Sequence, residues 1–565
     1  MKQSYRYSGL ALMAAALLAL SACAHRLPPD TAVVNLVALN DFHGNLEASR
    51  FAYSSAGGES EHTIQAGGID AIGAALQAWR KDDSELMLVG AGDLIGASPA
   101  ISSMWADEPA IGALDLLGMR VSSVGNHEFD PGRAELLRQQ KGGCASPRPE
   151  KACKFESRYD GAKFSYLAAN VIDMVRRKPV LPAYKIEEAH GVKIAFIGAV
   201  LRGTDELVAP SGIAGLEFID EATAINRVLP ELRKQGVGVF VVLIHQGGIT
   251  TDNFDQQECS HLQGPIVDVV KHLDPAIRVV ISGHTHKGYL CRVDGRLVTQ
   301  AEMGGHMLSR IRLEVDTASN TLRAASAKNV IVKLGEYADN AELSAYLARV
   351  RARSEEVLAR PVARLAVHTV PRELPGSVES ALGDLVADSM LQAGYHFGAQ
   401  IAFVNSKGMR QDLESGANML VTTVQAQMVL PYANTLVAMN MTGAQIFAAL
   451  EQQFLGGRDK KRGLLQPSEG FSYEYDPRQP EGHRIVAGSV MLNGVPLEPD
   501  DPYRVVVSNF LAEGGDAFPA FTGGSNRAPT GIRDIDALTN YLVQRDQNGK
   551  PAGASAPQDR IKRIQ

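Results

Sequence analysis

Five short segments of the 565-residue chain carry side chains suited to a metal centre: Asn40-Asp41-Phe42-His43, Gly92-Asp93, Gly125-Asn126-His127-Glu128, His245 and Gly283-His284-Thr285-His286. Together they offer carboxylate, amide and imidazole donors, a mixture that suits zinc, manganese, cobalt or iron better than calcium. A D-x-H or an H-x-H alone is common by chance in a chain with 14 histidines. Five such segments in order, each where a strand should end, are not.

The elements that must position these residues are visible as short apolar runs at Val33 to Leu39, Leu86 to Val89, Val121 to Val124, Ile194 to Val200, Val239 to Ile244 and Val279 to Ile281. They read as buried strands. Helical stretches such as Gly68 to Arg80 and Glu221 to Gln235 alternate with them, which predicts an α/β layered domain over residues 31–335 with its polar donors just beyond the strand ends. Residues 336–362 predict a connecting helix, exposed and ended by Pro361, and residues 363–545 a second, α+β domain. The last stretch, 546–565, is polar, contains Gly and Pro, and reads as a loose tail.

The order D-x-H, G-D, G-N-H-E, H, G-H-x-H resembles the calcineurin-like metallophosphoesterases, and the longer context, Leu39 to Gly44 and Gly125 to Asp130, resembles their 5'-nucleotidase branch. The resemblance implies a four-layered α-β-β-α domain that holds two divalent metal ions. Hydrolysis of a phosphate ester at neutral pH needs a hydroxide and a way to offset charge on the phosphoryl oxygens, and two cations about 3.5 to 4 Å apart supply both. By the same resemblance Asp93 bridges the two metals, Asp41, His43 and His286 complete one site, and Asn126, His245 and His284 complete the other. His286 follows the wider superfamily, since nucleotidases often have Gln or Asn there. His127 is implied to face the substrate phosphate, with Asp130 orienting its ring.

The C-terminal half adds Asn405-Ser406-Lys407-Gly408-Met409-Arg410, Pro431-Tyr432-Ala433-Asn434 and Phe510 to Asp516, which resemble the motifs of the 5'-nucleotidase substrate-binding domain. The resemblance assigns Tyr432 and Phe510 to stacking on the base, Asp516 to the ribose, Asn434 to the base edge, and Arg410, within the segment that begins at Asn405, to phosphate. Asp384 stands where that family commonly has Asn, and Lys407 where it commonly has Gly.

Residues 1–22 read as a lipoprotein signal peptide, with Lys2 and Arg6 before a short apolar run that ends in Leu20-Ser21-Ala22-Cys23. Cys23 is the expected lipidation site. Ala24, rather than Asp, follows it, which points to the outer membrane, with the protein periplasmic or surface-exposed and tied to the membrane only through that lipid. Thiols pair in such a compartment. The other four cysteines allow three pairings, of which Cys144 with Cys153 closes a small loop and leaves Cys259 for Cys291. Lys and Arg number 56 against 63 Asp and Glu, a formal charge of −7 with no basic run, so a nucleic acid polymer is not the expected partner.

The resulting expectation is a monomeric hydrolase of nucleoside 5'-monophosphates, acting by attack of metal-bound hydroxide on a small-molecule nucleotide. The alternatives on this architecture are a UDP-sugar or dinucleotide pyrophosphatase, a 2',3'-cyclic nucleotide phosphodiesterase/3'-nucleotidase, and a non-catalytic nucleotide-binding lipoprotein.

Overall fold

The computed structural model describes residues 30–54, 62–208, 212–259, 261–374, 376–430, 434–455 and 464–564. The proposed signal peptide, Cys23 and Tyr432 lie outside the described residues.

Two six-stranded sheets stack in the first half of the chain. One runs, in spatial order, Thr321–Ile331, Met307–Asp316, Thr31–Leu39, Met87–Ala91, Met119–Ser123 and Ser165–Leu167. The other runs Gly288–Val293, Arg296–Ala301, Val279–Ile281, Val239–His245, Val192–Val200 and Tyr184–Ala189. The strands between the sheets are apolar on both faces because both faces are covered. Val34, Leu36, Val89, Phe196, Val241 and Ile281 fill the space between the sheets. Helices Gly68–Asp82 and Glu108–Leu117 cover one outer face, and Glu221–Lys234 and Pro265–Lys271 cover the other. The layering is therefore α-β-β-α.

Within the first sheet Thr31–Leu39, Met87–Ala91 and Met119–Ser123 are successive parallel neighbours. Within the second, Val192–Val200, Val239–His245 and Val279–Ile281 are parallel too. All the donor segments thus leave the carboxyl ends of parallel strands, the edge at which open α/β sheets carry their ligands.

The helix Ala341–Leu358 is not the exposed connector expected. Its stripe Leu343, Leu347 and Val350 is at most 2% exposed and belongs to the core of the first domain. Trp105 Nε1 also donates to Ser354 Oγ at 2.9 Å. The helix is a structural wall of the first domain, and the chain passes to the second domain only after it.

The second half is built on a five-stranded sheet in the order Leu465–Pro467, Ile401–Asn405, Pro502–Ser508, Thr435–Thr442 and Ser525–Arg533. Helices Ala381–Gly394 and Asp534–Gln547 cover one face of it, and Gly443–Gln452 packs on the other. The expected loose tail is instead part of this domain. Ile561–Arg563 pairs in parallel with Phe471–Tyr475, Ala552 is buried, and the Glu379 carboxylate accepts from the backbone N–H groups of Gln558, Arg560 and Ile561 at 2.7 to 3.1 Å. Arg560 adds a two-pronged pair to Asp388. A polar composition concealed this because the pairing uses charge and backbone rather than apolar side chains.

Both disulfides form as expected, Cys144–Cys153 and Cys259–Cys291, with Cα separations of 5.5 and 4.3 Å. Among the described residues no helix is long and apolar enough to cross a membrane.

Candidate metal centre

The donor loops are laced together by their backbones before any side chain is considered. Asp41 N–H donates to Gly92 O at 3.1 Å, His43 N–H to Asp93 O at 2.9 Å, and Gly304 N–H to Asp41 O at 2.7 Å. Asp41, His43, Asp93, His284 and His286 all have φ between 47° and 77°. This left-handed region is unfavourable for side-chain-bearing residues and is concentrated where function fixes the backbone. Gly125 leaves space that any side chain would take from the Asp93 carboxylate, and at Gly96 (φ +88°) a Cβ would come within 2.7 Å of the His127 Cβ.

These backbones bring the seven side chains into one cluster, buried except at His284 and His286, which are partly exposed. His43 Nε2 is 3.1 Å from His286 Nε2, and His286 Nε2 is 3.3 Å from Asp41 Oδ1. Asp93 Oδ2 lies 2.9 Å from His245 Nε2 and 3.8 Å from His43 Nε2, which places it between the two groups. His284 Nδ1 is 3.1 Å from Asn126 Oδ1. Donor atoms of Asp41, His43 and His286, and of Asp93, His245 and His284, converge within 4.8 Å.

The far side of each ring is fixed as a ligand's should be. His43 Nδ1 meets Gly96 O at 2.9 Å and His245 Nδ1 meets Ala91 O at 2.9 Å, so each turns Nε2 into the cluster. His245 Nε2 is fully buried and, although near Asp93, makes no well-formed hydrogen bond. A buried nitrogen left in that state is what a cation would satisfy. Burial pushes His43 and His284 down to about 4, so both are neutral and free to ligate. Against burial, the Asp93 and Asp41 carboxylates raise His245 to about 9. The donor set fits divalent metal ions.

His127 stands at the rim. Its Nδ1 is 2.6 Å from Asp130 Oδ2, and its backbone N–H donates to Asp93 Oδ1 at 2.9 Å. Burial pulls its pKa down, but the Asp130 and Asp93 carboxylates prevail and lift it to about 10. At neutral pH the ring is therefore a cation, held by Asp130 through Nδ1 and still 31% exposed.

Glu128 was not singled out from sequence, yet it organises the site. Its fully buried carboxylate accepts from the backbone N–H groups of Gly125 at 2.5 Å, Leu94 at 2.7 Å, Asp93 at 3.0 Å and Ile95 at 3.2 Å. It thereby clamps the Asp93 loop onto the Asn126 loop. The signal was present as an acid between His127 and Phe129, but only the fold shows what it holds.

A cleft of about 610 Å³ opens beside this centre, lined by His127 and Asp130 from the first domain and by Asn434, Asn509 and Arg533 from the second. Of the residues singled out for substrate, among those described only Asn434 lines it; its Nδ2 is 3.4 Å from Asp534 Oδ2. Asn405 and Asp516 meet elsewhere, with Asn405 Nδ2 donating to Asp516 Oδ2 at 2.6 Å and Lys407 Nζ 3.9 Å from Asp516 Oδ1. Phe510, 43% exposed, lies against Gly515 beside them. Arg410 is exposed and does not line the cleft; its backbone N–H donates to Val429 O.

Donors at the carboxyl ends of two stacked sheets, a cationic histidine at their rim and a second domain across a cleft define a metal-dependent phosphoester hydrolase. Residues 34–288 match the family of calcineurin-like phosphoesterases, and residues 361–523 match the 5'-nucleotidase C-terminal domain. The chain belongs to the calcineurin-like metallophosphoesterases, in the branch that carries a 5'-nucleotidase C-terminal domain. It is 30% identical over 547 residues to cell wall protein Lmo0130 of Listeria monocytogenes, a match covering 92% of this chain and 68% of that protein. It is 29% identical over 521 residues to endonuclease YhcR of Bacillus subtilis, covering 92% of this chain but only 40% of that protein. The solved 5'-nucleotidase precursor of Thermus thermophilus superposes with a TM-score of 0.63 at 25% identity, covering 94% of this chain and 99% of that one.

Proposed function

We propose that the protein is an extracytoplasmic 5'-nucleotidase that hydrolyses nucleoside 5'-monophosphates to nucleoside and phosphate and serves nucleotide scavenging. The observation that carries this reading is the cleft in which His127 and Asp130 face Asn434 of the second domain, next to the donor cluster. In this reading Asp41, His43 and His286 would hold one cation and Asn126, His245 and His284 a second, with Asp93 available to both. When bound, two ions of zinc, manganese, cobalt or iron supply the positive charge and the activated water that this hydrolysis needs. The chain's own part is to orient the ester and manage its charge. The His127 imidazolium, held by Asp130, faces the phosphoryl oxygens and has a proton to give to the leaving 5' oxygen.

By the motif resemblance Phe510 and Tyr432 are assigned to the base, Asp516 with its partner Asn405 to the ribose, Asn434 to the base edge and Arg410 to the phosphate. Asn434 lines the cleft, whereas Asn405, Arg410, Phe510 and Asp516 lie outside it, so this part of the reading requires the second domain to present the nucleotide in a different arrangement from the one described. Stacking accepts any base, so the reading includes broad nucleoside specificity. The reading further takes the first domain, extended through the helix Ala341–Leu358, as the metal domain and the second domain, with the segment Ala552 to Arg563 included, as the substrate domain, Cys23 as the lipid-bearing residue, the outer membrane as the site of anchoring, and the monomer as the working unit. The test is a panel of AMP, UDP-glucose, NAD and 2',3'-cyclic AMP with metal-loaded protein, read by chromatography of the nucleotide products together with phosphate release. AMP is expected to give the highest kcat/KM. Cleavage of UDP-glucose or NAD with no turnover of AMP would replace the reading with a pyrophosphatase, and no product from any of the four would remove the enzymatic reading.

A further inference from the structure

The loop closed by Cys144–Cys153 is held more firmly than a surface insertion needs to be. Glu135, fully buried, accepts from Ser146 Oγ at 2.6 Å and from Arg148 at 2.9 Å, and Glu108 accepts from the Cys153 backbone at 2.9 Å. Phe155, just beyond the loop, is packed under Trp105, Tyr346 and the guanidinium groups of Arg349 and Arg353. So anchored, the loop presents Arg148 and Lys151 to the cleft that also holds His127, and the second domain presents Arg533 to the same space.

The charges there are not equally matched. Arg148 has Glu135, and Arg533 has a two-pronged bond to Asp536 at 2.6 and 2.7 Å. Lys151 is half-buried, and among the described residues no acceptor comes within hydrogen-bond or ion-pair distance of its Nζ. Burial, Arg533 and Arg148 together depress its pKa to about 8, with Asp107 and Asp536 opposing them. Acids line the same cleft, namely Asp107, Asp130, Glu150, Asp205, Glu513 and Asp536, but Asp130 is bonded to His127 and Asp536 to Arg533, and none of the six forms an ion pair with Lys151. An ammonium group that shares a cavity with two guanidinium groups and has no ion pair of its own is a place where an anion relieves cost from both sides.

We propose that Lys151, with Arg148 and Arg533, forms an anion subsite that bridges the two domains and receives a phosphoryl group other than the one being cleaved. The group comes either from the substrate, as the phosphate of a nucleoside diphosphate that is not under attack, or from the medium, as free orthophosphate. The first source rests on the nucleotidase reading; the subsite itself does not. The test uses metal-loaded wild-type, Lys151→Ala, Lys151→Glu and Lys151→Arg protein, with KM measured for AMP and ADP and the binding of inorganic phosphate measured by calorimetry. If the substrate fills the subsite, the ratio of KM for ADP to KM for AMP rises about tenfold in Lys151→Ala, further in Lys151→Glu, and returns in Lys151→Arg. If orthophosphate fills it, phosphate binding weakens in the same order and the ratio stays put. Failure to hydrolyse any nucleotide would sink the nucleotidase reading and leave the calorimetric arm to report on the subsite. Should neither quantity move by as much as about twofold in folded Lys151→Ala and Lys151→Glu, there is no subsite.

Discussion

His127 and Glu128 are neighbours with opposite duties. His127 projects to the rim, where the Asp130 and Asp93 carboxylates make it a cation. A group that meets charge in the transition state shows its loss in turnover rather than in binding, so His127→Asn is expected to lower kcat by about 100-fold or more with a much smaller change in KM. Steady-state kinetics with AMP checks this, and a change confined to KM would remove the role. Glu128 touches no donor atom; it holds the backbones that present Asp93 and Asn126. Glu128→Gln replaces an acceptor with an amide whose N–H would face other N–H groups. Metal affinity, read by titrating the metal-free protein, is expected to fall about 10- to 100-fold while each ligand stays in place. The donors were legible in the sequence because ligand types at strand ends are a sparse pattern. Glu128 was not, because its partners are backbone amides up to 35 residues away that no side-chain motif records.

At the scale of elements, the two misjudged segments failed for different reasons. The helix Ala341–Leu358 does carry an apolar stripe, Leu343, Leu347 and Val350, at helical spacing, but its many arginines and glutamates outweighed three residues. Leu347→Ala is expected to cost about 2 to 5 kcal/mol of first-domain stability, measured by chemical denaturation, because the side chain lies in a filled core. The tail could not be read at all, since Glu379 meets Arg560 across 181 residues of sequence. That region also contains a titration. Burial pushes the Asp384 carboxyl up to about 8, with Arg560 opposing and Glu379 adding to the rise; its Oδ1 accepts no hydrogen bond and has Arg560 Nη1 at 3.9 Å. An unfolded aspartate ionises near pH 3.9, so from there to about pH 8 the folded chain keeps a proton that the unfolded chain has lost. The stability this group contributes is complete below the unfolded value and is lost as pH rises through about 8. Asp384→Asn removes the dependence. Its advantage in melting temperature over the wild type is expected to grow from pH 4 to 8 and then level off, and an advantage that stayed flat across that range would contradict the assignment.

For the whole molecule, the net charge of −7 means that a phosphate ester meets a mildly repulsive body and depends on local positive charge. Chelation is therefore expected to abolish phosphate release at low and high salt alike, with activity returning when a divalent metal is restored; activity that survived chelation would separate the donor cluster from catalysis. The two-domain layout was legible from alternating apolar runs, whereas the cleft between the domains was not, because a surface formed by residues 148, 434 and 533 has no local signature. One further asymmetry bears on how the molecule is made. Both disulfides lie in the first domain, and the second contains no cysteine. In a reducing cell interior the second domain loses no cross-link, whereas the first is left with two open loops, one of them the wall that carries Lys151. Material harvested from an ordinary cytoplasm is therefore expected to be unfinished in the first domain alone, with export or an oxidising refolding step supplying the two missing bonds.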